Sequence, residues 1–339
     1  MESVVHILLT ALILVLPSAS LACARGKTEQ RAAPGNYQWR RVIEAGQGCF
    51  QESGCRPGQW AMAIVPLAAF DKLFIVGWKE VWSSTDGINW TSQAKTDWGE
   101  RHGMAYVLFD NKMWMTGGMQ SWDKFTNDVW YSTNGRDWKL ATRNAPWAPR
   151  RNHRLLVFNN KMWLIGGAKS SGRSDQTPTQ FFNDVWSSTD GVNWTPVTIR
   201  AAWDARDGFV ALNFADRIWV VGGEGRRDVW SSADGKTWSQ VTAAADWPER
   251  RGSGGAVFDG KMWIFGGLER NDVWSSIDGK SWQAAFAQAP WTTRGAEHSV
   301  VFDGKLWLFG GKTGRANSWE ESGDVWIMSP RTDRNSEPR

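Results

Sequence analysis

The chain has 339 residues, of which 42% are hydrophobic and 22% charged, a balance typical of a globular protein with a sizeable core. Its formal net charge of +4 is too small to indicate a nucleic-acid partner. The unusual figure is 26 tryptophans against 3 tyrosines, which points to a repeated structural use of tryptophan.

Residues 1–22 predict a signal peptide. An apolar run from Val4 to Leu16 is followed by small residues that end at Ala22, and the run is too short for a comfortable membrane span. Cleavage after Ala22 would leave Cys23 first, which resembles the arrangement in bacterial lipoproteins. We therefore expect an exported protein that is periplasmic, secreted or anchored to the outer membrane, with lipidation of Cys23 and simple cleavage both open. Residues 23–36 are then a linker.

Cys49 and Cys55 lie in a glycine-rich segment and are separated by five residues. In an oxidising compartment such a pair predicts a small disulfide. A metal-binding or redox pair is the rival interpretation. The absence of another cysteine apart from Cys23, and of a nearby histidine, favours the disulfide.

Six repeats follow in chain order. Each contains an apolar strand, a tight turn of the FDGK type, a second strand ending in Gly-Gly, a variable loop, a DVWSS strand, a DG turn and a strand opening with Trp. Units of four short strands joined by such turns predict the blades of an all-β propeller. The double glycine begins at Gly117, Gly166, Gly222, Gly266 and Gly310, with Gly77 as a variant.

The sixth repeat lacks its last strand. Residues 324–329 read DVWIMS and lead into a polar tail, whereas residues 36–42 read NYQWRRV and match the Trp-led fourth strand. Closing the ring with this N-terminal strand would remove exposed sheet edges. We predict one propeller domain over residues 37–328, a polar tail over 329–339, and a monomer.

Gly-Gly followed by DVW and a downstream Trp resembles the kelch repeats of the galactose-oxidase-like propellers. The segment SSTDGINW is also similar to the Asp-box turn of sialidase-type propellers, although Asp and Gly are adjacent here. The resemblance implies a six-bladed kelch-like propeller. It implies little about function, because propellers host unrelated activities.

Residues that recur in every repeat are predicted to be scaffold. One full set of recurring tryptophans is Trp114, Trp130, Trp138 and Trp147. An arginine also follows each linker tryptophan, and we favour a bracing role within each blade over an anion-binding ring for these five: Arg101, Arg150, Arg206, Arg250 and Arg294.

Function is expected where the repeats differ. The links between blades and the loops between the second and third strands share one face, and those loops vary in length while the turns opposite do not. Four off-register tryptophans map to this variable face: Trp60, Trp78, Trp122 and Trp319. Trp122 and Trp319 are candidates for stacking on a sugar or anchoring a protein, with capping of the core as the alternative.

Ionisable residues that differ between blades align at the mouth of the central channel. One aligned position holds His102, Arg151, Asp207, Arg251 and Gly295; His153 and Glu297 share a position two residues later, and His298 follows. We predict an anionic ligand held by Arg151 and Arg251, with His102, Asp207 and His298 beside it. Glu297 and His153 would supply an acid and a base. A solvated rim without a ligand is the alternative.

Several chemistries do not fit the sequence. The histidines at 102, 153 and 298 fall in different repeats without metal-ligand spacing, so no metal or cofactor is expected. GxSxG, phosphate-loop and HExxH motifs are absent. The few tyrosines do not supply the ligands of a copper-radical oxidase or, unless Tyr106 serves, the nucleophile of a sialidase.

Two function hypotheses remain. The first is a binding module that holds a glycan or a protein on the variable face, with the membrane contacted only through a possible lipid anchor. The second is a metal-free mutarotase that opens and recloses the ring of a sugar acid, as a resemblance to N-acetylneuraminate epimerase, an exported six-bladed kelch-fold family, implies. A cytosolic kelch adaptor is disfavoured by the signal peptide and the lack of a partner domain.

Overall fold

The computed structural model describes residues 36–44, 65–77, 80–121, 124–169, 179–267, 269–295, 298–313 and 320–331. These residues form strands and turns, and no helix lies among them. The first strand, β1 (Tyr37–Ile43), precedes six antiparallel four-stranded sheets, of which it completes the last.

The first three sheets are continuous in sequence. Blade 1 contains β2 (Val65–Ala69), β3 (Lys72–Val76), β4 (Glu80–Ser84) and β5 (Thr91–Lys95). Blade 2 contains β6 (Ala105–Phe109), β7 (Lys112–Ser121), β8 (Lys124–Ser132) and β9 (Trp138–Thr142). Blade 3 contains β10 (Arg154–Phe158), β11 (Lys161–Lys169), β12 (Gln180–Ser188) and β13 (Thr195–Thr198).

The last three sheets follow the same order, with one exception in blade 6. Blade 4 contains β14 (Val210–Phe214), β15 (Arg217–Gly223), β16 (Arg226–Ser232) and β17 (Ser239–Thr242). Blade 5 contains β18 (Gly254–Phe258), β19 (Lys261–Phe265), β20 (Val273–Ser276) and β21 (Gln283–Phe286). Blade 6 contains β23 (His298–Phe302), β24 (Lys305–Phe309), β27 (Val325–Pro330) and β1. A small sheet beside it contains β22 (Arg294–Gly295), β25 (Lys312–Thr313) and β26 (Glu320–Glu321).

The first strands of the blades form a closed ring. Strand β2 contacts β6, β6 contacts β10, and the series continues through β14, β18 and β23 back to β2. The predicted six-bladed propeller is therefore confirmed, and the first strand of each blade lines the central channel.

The N-terminal strand closes the ring, as predicted. Strand β1 is antiparallel to β27, with Tyr37 opposite Pro330 and Trp39 opposite Met328. Because Ser329 and Pro330 still pair with β1, the last strand runs two residues beyond the predicted domain end at 328.

The turns between first and second strands are tight in every blade. In blade 2 both central residues have positive φ, 50° at Asp110 and 51° at Asn111. This is the backbone of a type I′ turn, whose twist matches that of the strands it joins. The FDGK-type sequences thus form the predicted hairpins.

The DG turn is held by its own side chains. In blade 3 the Gly191 N–H donates to Ser188 Oγ at 2.8 Å, and the Asn193 N–H donates to Asp190 Oδ1 at 2.8 Å. Trp194 Nε1 then donates to the Gly191 carbonyl at 3.1 Å. The recurring residues of the turn, from Ser188 to Trp194, are therefore bonded mainly to one another.

The glycine of this turn also packs one blade against the next. Gly191, with φ of 74°, lies on the ring of Trp114 in blade 2, and a Cβ at Gly191 would overlap that ring. In blade 6, which has no DG turn, Tyr37 takes this place and meets Trp263 edge-on at 4.9 Å between ring centroids. Most of the recurring tryptophans are buried in the core, and the DVW tryptophans of blades 2 to 5 are half-buried and packed against it.

The five recurring arginines brace the blades. Arg206 Nη1 and Nη2 lie 2.6 and 2.8 Å from the two carboxylate oxygens of Asp228, and Nη1 also donates to the Gly222 carbonyl at 3.1 Å. Trp230 Nε1 donates to the same carboxylate at 2.8 Å. The same buried ion pair recurs as Arg101–Asp128, Arg150–Asp184, Arg250–Asp272 and Arg294–Asp324. The predicted bracing role is confirmed, and these arginines are neutralised inside the fold.

Candidate functional site

In blades 2, 3 and 6 the preceding link pairs with the chain just after the double glycine. His102 and Met119 exchange two backbone hydrogen bonds of 2.8 Å, and Arg151 and Ala168 exchange bonds of 2.8 and 2.9 Å. Gly295 pairs with Lys312 in the same way. The aligned link positions of the sequence therefore occupy equivalent places around the mouth.

Adjacent links are also bonded to each other around this ring. The Asn152 N–H donates to the Gly103 carbonyl at 2.8 Å, and the Gly252 N–H donates to the Gly208 carbonyl at 3.1 Å. Side chains at the mouth thus project from a backbone that is fixed on both sides.

Three consecutive links and one hairpin build a cluster of charges, which we call the mouth site: Arg151, Asn152, Asp207, Glu224 and Arg251. Asp207 is 4% exposed, accepts a hydrogen bond from Asn152 Nδ2 at 3.0 Å and shares another with the Glu224 carboxyl. Arg251 Nε lies 3.1 Å from Glu224 Oε1, as a charge contact rather than an aligned hydrogen bond.

Glu224 stands at the tip of the blade 4 hairpin. Gly223 pairs with Arg226, so Glu224 and Gly225 form a two-residue turn with φ of 48° and 75°. A Cβ at Gly223 would press on the Asp207 carbonyl at 2.8 Å. Glycine at this position lets the hairpin approach the link closely enough for the two carboxyl groups to meet.

The two carboxyl groups have opposite pKa shifts. Burial alone would raise the pKa of Asp207, but hydrogen bonds from Glu224 and Asn152 and the charges of Arg251 and Arg151 lower it. The pKa of Glu224 rises to about 7, through burial first and then through its hydrogen bond with Asp207 and the charge of that carboxylate. Below about pH 7 the pair therefore carries a proton on Glu224 beside an ionised Asp207.

Arg151, a member of the mouth site, and His102 beside it are the other residues predicted at the mouth. Burial lowers the pKa of Arg151, while the charge of Asp207 opposes that shift. His102 is half-buried, and its pKa falls through burial and through the charges of Lys312 and Arg151. His102 thus faces the cationic side of the cluster as a neutral ring.

The structure places His153 in the core. It is 1% exposed, its Nε2 lies 2.8 Å from Thr116 Oγ1, and its ring stands 6.0 Å from that of Trp147. Burial, followed by the charges of Arg150 and Arg154, lowers its pKa to about 3. His153 therefore stays neutral and is shielded from the mouth, which gives it no geometry for proton exchange with a ligand there.

His298 lies on the first strand of blade 6. Burial and the charge of Arg154 lower its pKa to about 4, so this ring is also neutral at physiological pH. Arg154 itself donates through Nε to the Phe209 carbonyl at 2.6 Å. His298 is thus a wall residue of the channel and not a member of the mouth site.

Several predicted residues lie outside the described part of the chain. They are the catalytic candidate Glu297, the tryptophans Trp60, Trp78, Trp122 and Trp319, and the cysteines Cys23, Cys49 and Cys55.

Glu224 is the acidic residue of the mouth site that the aligned links did not indicate. Residues that directly follow the double glycine include Met119, Ala168, Glu224 and Lys312. Met119, Ala168 and Lys312 pair with an aligned link residue through the backbone, and Glu224 meets Asp207 through its side chain. Glu224 is the glutamate among the residues that follow a double glycine, and Asp207 is the aspartate among the aligned link residues. Comparing these two sets of positions would have indicated the carboxyl pair.

In the ranges given above, no helix is long and apolar enough to cross a membrane. Within the same ranges, no group of three or more His, Cys, Asp and Glu side chains is arranged to hold a metal ion.

The fold and the repeats define the class of protein as a kelch-like six-bladed β-propeller. A solved structure titled "Structure of YjhT" superposes on the chain with a TM-score of 0.64 at 16% sequence identity, and the match covers 82% of this chain and 96% of that one. At this identity the likeness concerns the fold alone. No family model and no curated protein matches the sequence.

Proposed function

We propose that the protein binds a sugar acid at the mouth site. The observation that carries this proposal is the convergence of Arg151, Arg251 and Glu224 on Asp207, with the two arginines and Asp207 coming from three consecutive links. With Glu224 protonated, the site holds two guanidinium charges against one carboxylate. The site then has a net positive charge, so the two guanidinium groups can bind the carboxylate of an anionic ligand.

The site favours a small ligand over a flat protein epitope. Asp207 is almost completely buried, and Glu224 is only 22% exposed at its side chain, so the carboxyl pair is recessed. Convergent polar groups in a recess on a rigid ring are typical of small-molecule sites. Export, predicted from residues 1–22, would place such a site where it meets external sugars.

The carboxyl pair also favours a second function, catalysis of anomer exchange. The anomeric hydroxyl and the ring oxygen of a sugar sit on one carbon, so two adjacent carboxyl groups can reach both. Asp207 would take the proton of the anomeric hydroxyl once that hydroxyl replaces Glu224 as its hydrogen-bond donor, while Glu224 turns its own proton to the ring oxygen. The ring C–O bond then breaks as the carbonyl forms. Rotation and reversal of these transfers close the ring with the other configuration and restore both carboxyl groups.

This assignment moves the acid and base from the residues that the sequence indicated. Glu224 takes the place of His153, and Asp207 takes the place of Glu297. Arg151 and Arg251 keep the role of carboxylate partners.

The binding proposal is tested by calorimetry with N-acetylneuraminic, galacturonic and glucuronic acids. Replacing Arg151 and Arg251 by alanine should weaken binding of the preferred acid more than tenfold, a loss of at least about 1.4 kcal/mol. The bracing arginines remain, so the melting temperature should fall by only a few degrees. Arg136, an exposed residue of a DG turn on the opposite face, is the control, and its alanine variant should bind normally. Undiminished affinity of the double variant would move the site away from the mouth.

The catalytic proposal is tested by NMR exchange between anomers from pH 5 to 9. Because the pKa of Glu224 is raised to about 7, its proton is present below that pH and lost above it. Asp207, with a lowered pKa, is ionised throughout this range. The exchange rate should therefore be constant at low pH and fall above pH 7. Glu224→Gln should bind the acid but lose about 10²-fold or more in rate. A wild-type protein that binds the acid without accelerating anomer exchange would refute the catalytic proposal and leave only the binding function.

A further inference from the structure

A groove leaves the mouth site and crosses blade 4 toward its outer edge. Its volume is about 580 Å³, within the range of about 300–1,000 Å³ that is common for ligand sites. Its floor is the hairpin turn from Glu224 to Arg227, and its sides carry Asp204 and Glu249 from the two flanking links. Ala243 and Ala244 form its outer end.

The groove exists because blade 4 has a short hairpin. In blades 2 and 3 the corresponding hairpins continue past the double glycine, to Ser121 and to Lys169. In blade 4 the chain turns at once at Glu224 and Gly225. A notch is therefore left between the links that hold Asp204 and Glu249.

The floor of the groove is fixed by backbone hydrogen bonds. The Gly225 N–H donates to the Arg250 carbonyl at 3.2 Å, and the Ala245 N–H donates to the Arg227 carbonyl at 2.8 Å. Both bonds tie the hairpin to the link that follows blade 4. The groove is therefore formed before any ligand arrives, which lowers the entropic cost of binding.

The groove and the mouth site share Glu224. Its carboxyl group is hydrogen-bonded to Asp207 on the mouth side, and on the groove side the charge of Arg226 acts on it. A ligand seated at the carboxyl pair would therefore lie against the inner end of the groove.

The charges that line the groove are mostly neutralised. Arg226 Nη1 lies 3.0 Å from Asp204 Oδ2, and Asp228 is paired with Arg206 beneath the floor. Carboxylates, guanidinium groups and exposed carbonyls offer many donors and acceptors, while apolar surface is confined to the alanines at the outer end. Such a lining suits the hydroxyl groups of a sugar chain better than a lipid.

From these features we propose that the groove binds the remaining sugars of an oligosaccharide whose acidic end sugar occupies the mouth site. This inference rests on the proposed function. If the anomeric carbon lies at Asp207 and Glu224, the chain must leave through another hydroxyl group of that sugar. The ligand would then be an acidic oligosaccharide with a free reducing end, extending from the mouth over blade 4.

The test compares chain lengths in two series of probes: galacturonic acid with its α1,4-linked dimer and trimer, and N-acetylneuraminic acid with its α2,8-linked dimer and trimer. In the series whose monomer binds, the trimer should bind at least tenfold more tightly than the monomer. Ala244→Trp fills the outer groove from an exposed position, so it should reduce trimer affinity to the monomer value and leave monomer binding unchanged.

Matched variants separate the two proposals. Ala244→Ser should behave as the wild type, and Ala243→Trp repeats the block from the neighbouring exposed position. Two results would refute binding in the groove while leaving the mouth site supported. One is equal affinity for monomer and trimer, and the other is a trimer affinity that neither tryptophan variant lowers. Failure of every probe in both series would overturn both.

Discussion

Deletion of residues 36–43 is expected to abolish the folded monomer. These residues supply the outermost strand of blade 6, and their backbone continues the closure through a hydrogen bond from Arg331 N–H to the Asn36 carbonyl at 2.6 Å. Without them β27 becomes an exposed apolar edge that can pair with another chain.

The side chains of this strand add to the loss. Tyr37 and Trp39 are 7% and 5% exposed, and Trp39 meets Trp291 edge-on at 4.5 Å. Each ring removes about 150–250 Å² from water. At about 25 cal/mol per Å² this is about 4–6 kcal/mol per ring, and domains are stable by only about 5–15 kcal/mol in total.

Size-exclusion chromatography and thermal melting check this expectation. The deletion protein should aggregate or lack a cooperative melt, and Trp39→Ala should melt at a temperature between that of the deletion and the wild type. Deletion of residues 332–339 is the control and should leave the melting temperature unchanged. A deletion of 36–43 that stays monomeric with the wild-type melting temperature would refute closure by β1.

The fold could be predicted from the sequence because its signals are local and repeated. A DG turn needs only neighbouring side chains, such as Ser188, Asp190 and Trp194, and these recur as a short phrase. Closure could be predicted because Trp39 fills the place that the fourth-strand tryptophan fills in the other blades.

The candidate site was predicted in part. The aligned links indicated Arg151, Asp207 and Arg251, since alignment reports which residues share a position around the ring. The partner of Asp207 comes from another part of its blade, so link alignment alone could not show that Glu224 meets it. Which of the two carboxyl groups keeps a proton depends on their burial and on their contact, and both exist only in the folded chain.

The role of His153 shows how a mixed alignment misleads. Its aligned neighbours include Met104 and Phe209, which are buried at 5% and 0% exposure. Those apolar partners indicate a core position more strongly than a lone histidine indicates a catalytic one. The variable loop of blade 3 has paired strands at both of its described ends, with Ala168 opposite Phe181.

Loss of a bracing carboxylate is the second large effect that we expect. Asp228→Asn keeps the shape of the side chain but leaves Arg206, which is fully buried, without its counter-charge. Removing one partner of a buried ion pair costs about 3–5 kcal/mol, because a buried charge is left uncompensated. Denaturant unfolding at pH 7 should show a loss of this size.

The pH dependence gives an independent check on the same pair. Burial alone would raise the pKa of Asp228, but hydrogen bonds from Arg206 and Trp230 lower it below the usual 3.8. A lowered folded-state pKa stabilises the fold above the unfolded pKa, and this stabilisation is lost as pH falls through the folded value. The stability difference between wild type and Asp228→Asn should therefore be full at pH 7 and shrink below about pH 4.

A double-variant cycle isolates the pair from its neighbours. Arg206→Met alone also removes the hydrogen bond to the Gly222 carbonyl, so its own cost is not the energy of the ion pair. Combined with Asp228→Asn, however, it removes the uncompensated charge, and the double variant should be more stable than the sum of the two losses predicts.

The control is Asp204→Asn, since the Arg226–Asp204 pair is exposed and should contribute at most about 1 kcal/mol. Strict additivity in the cycle, or equal losses for Asp228→Asn and Asp204→Asn, would show that the buried arginines do not brace the blades through their carboxylates.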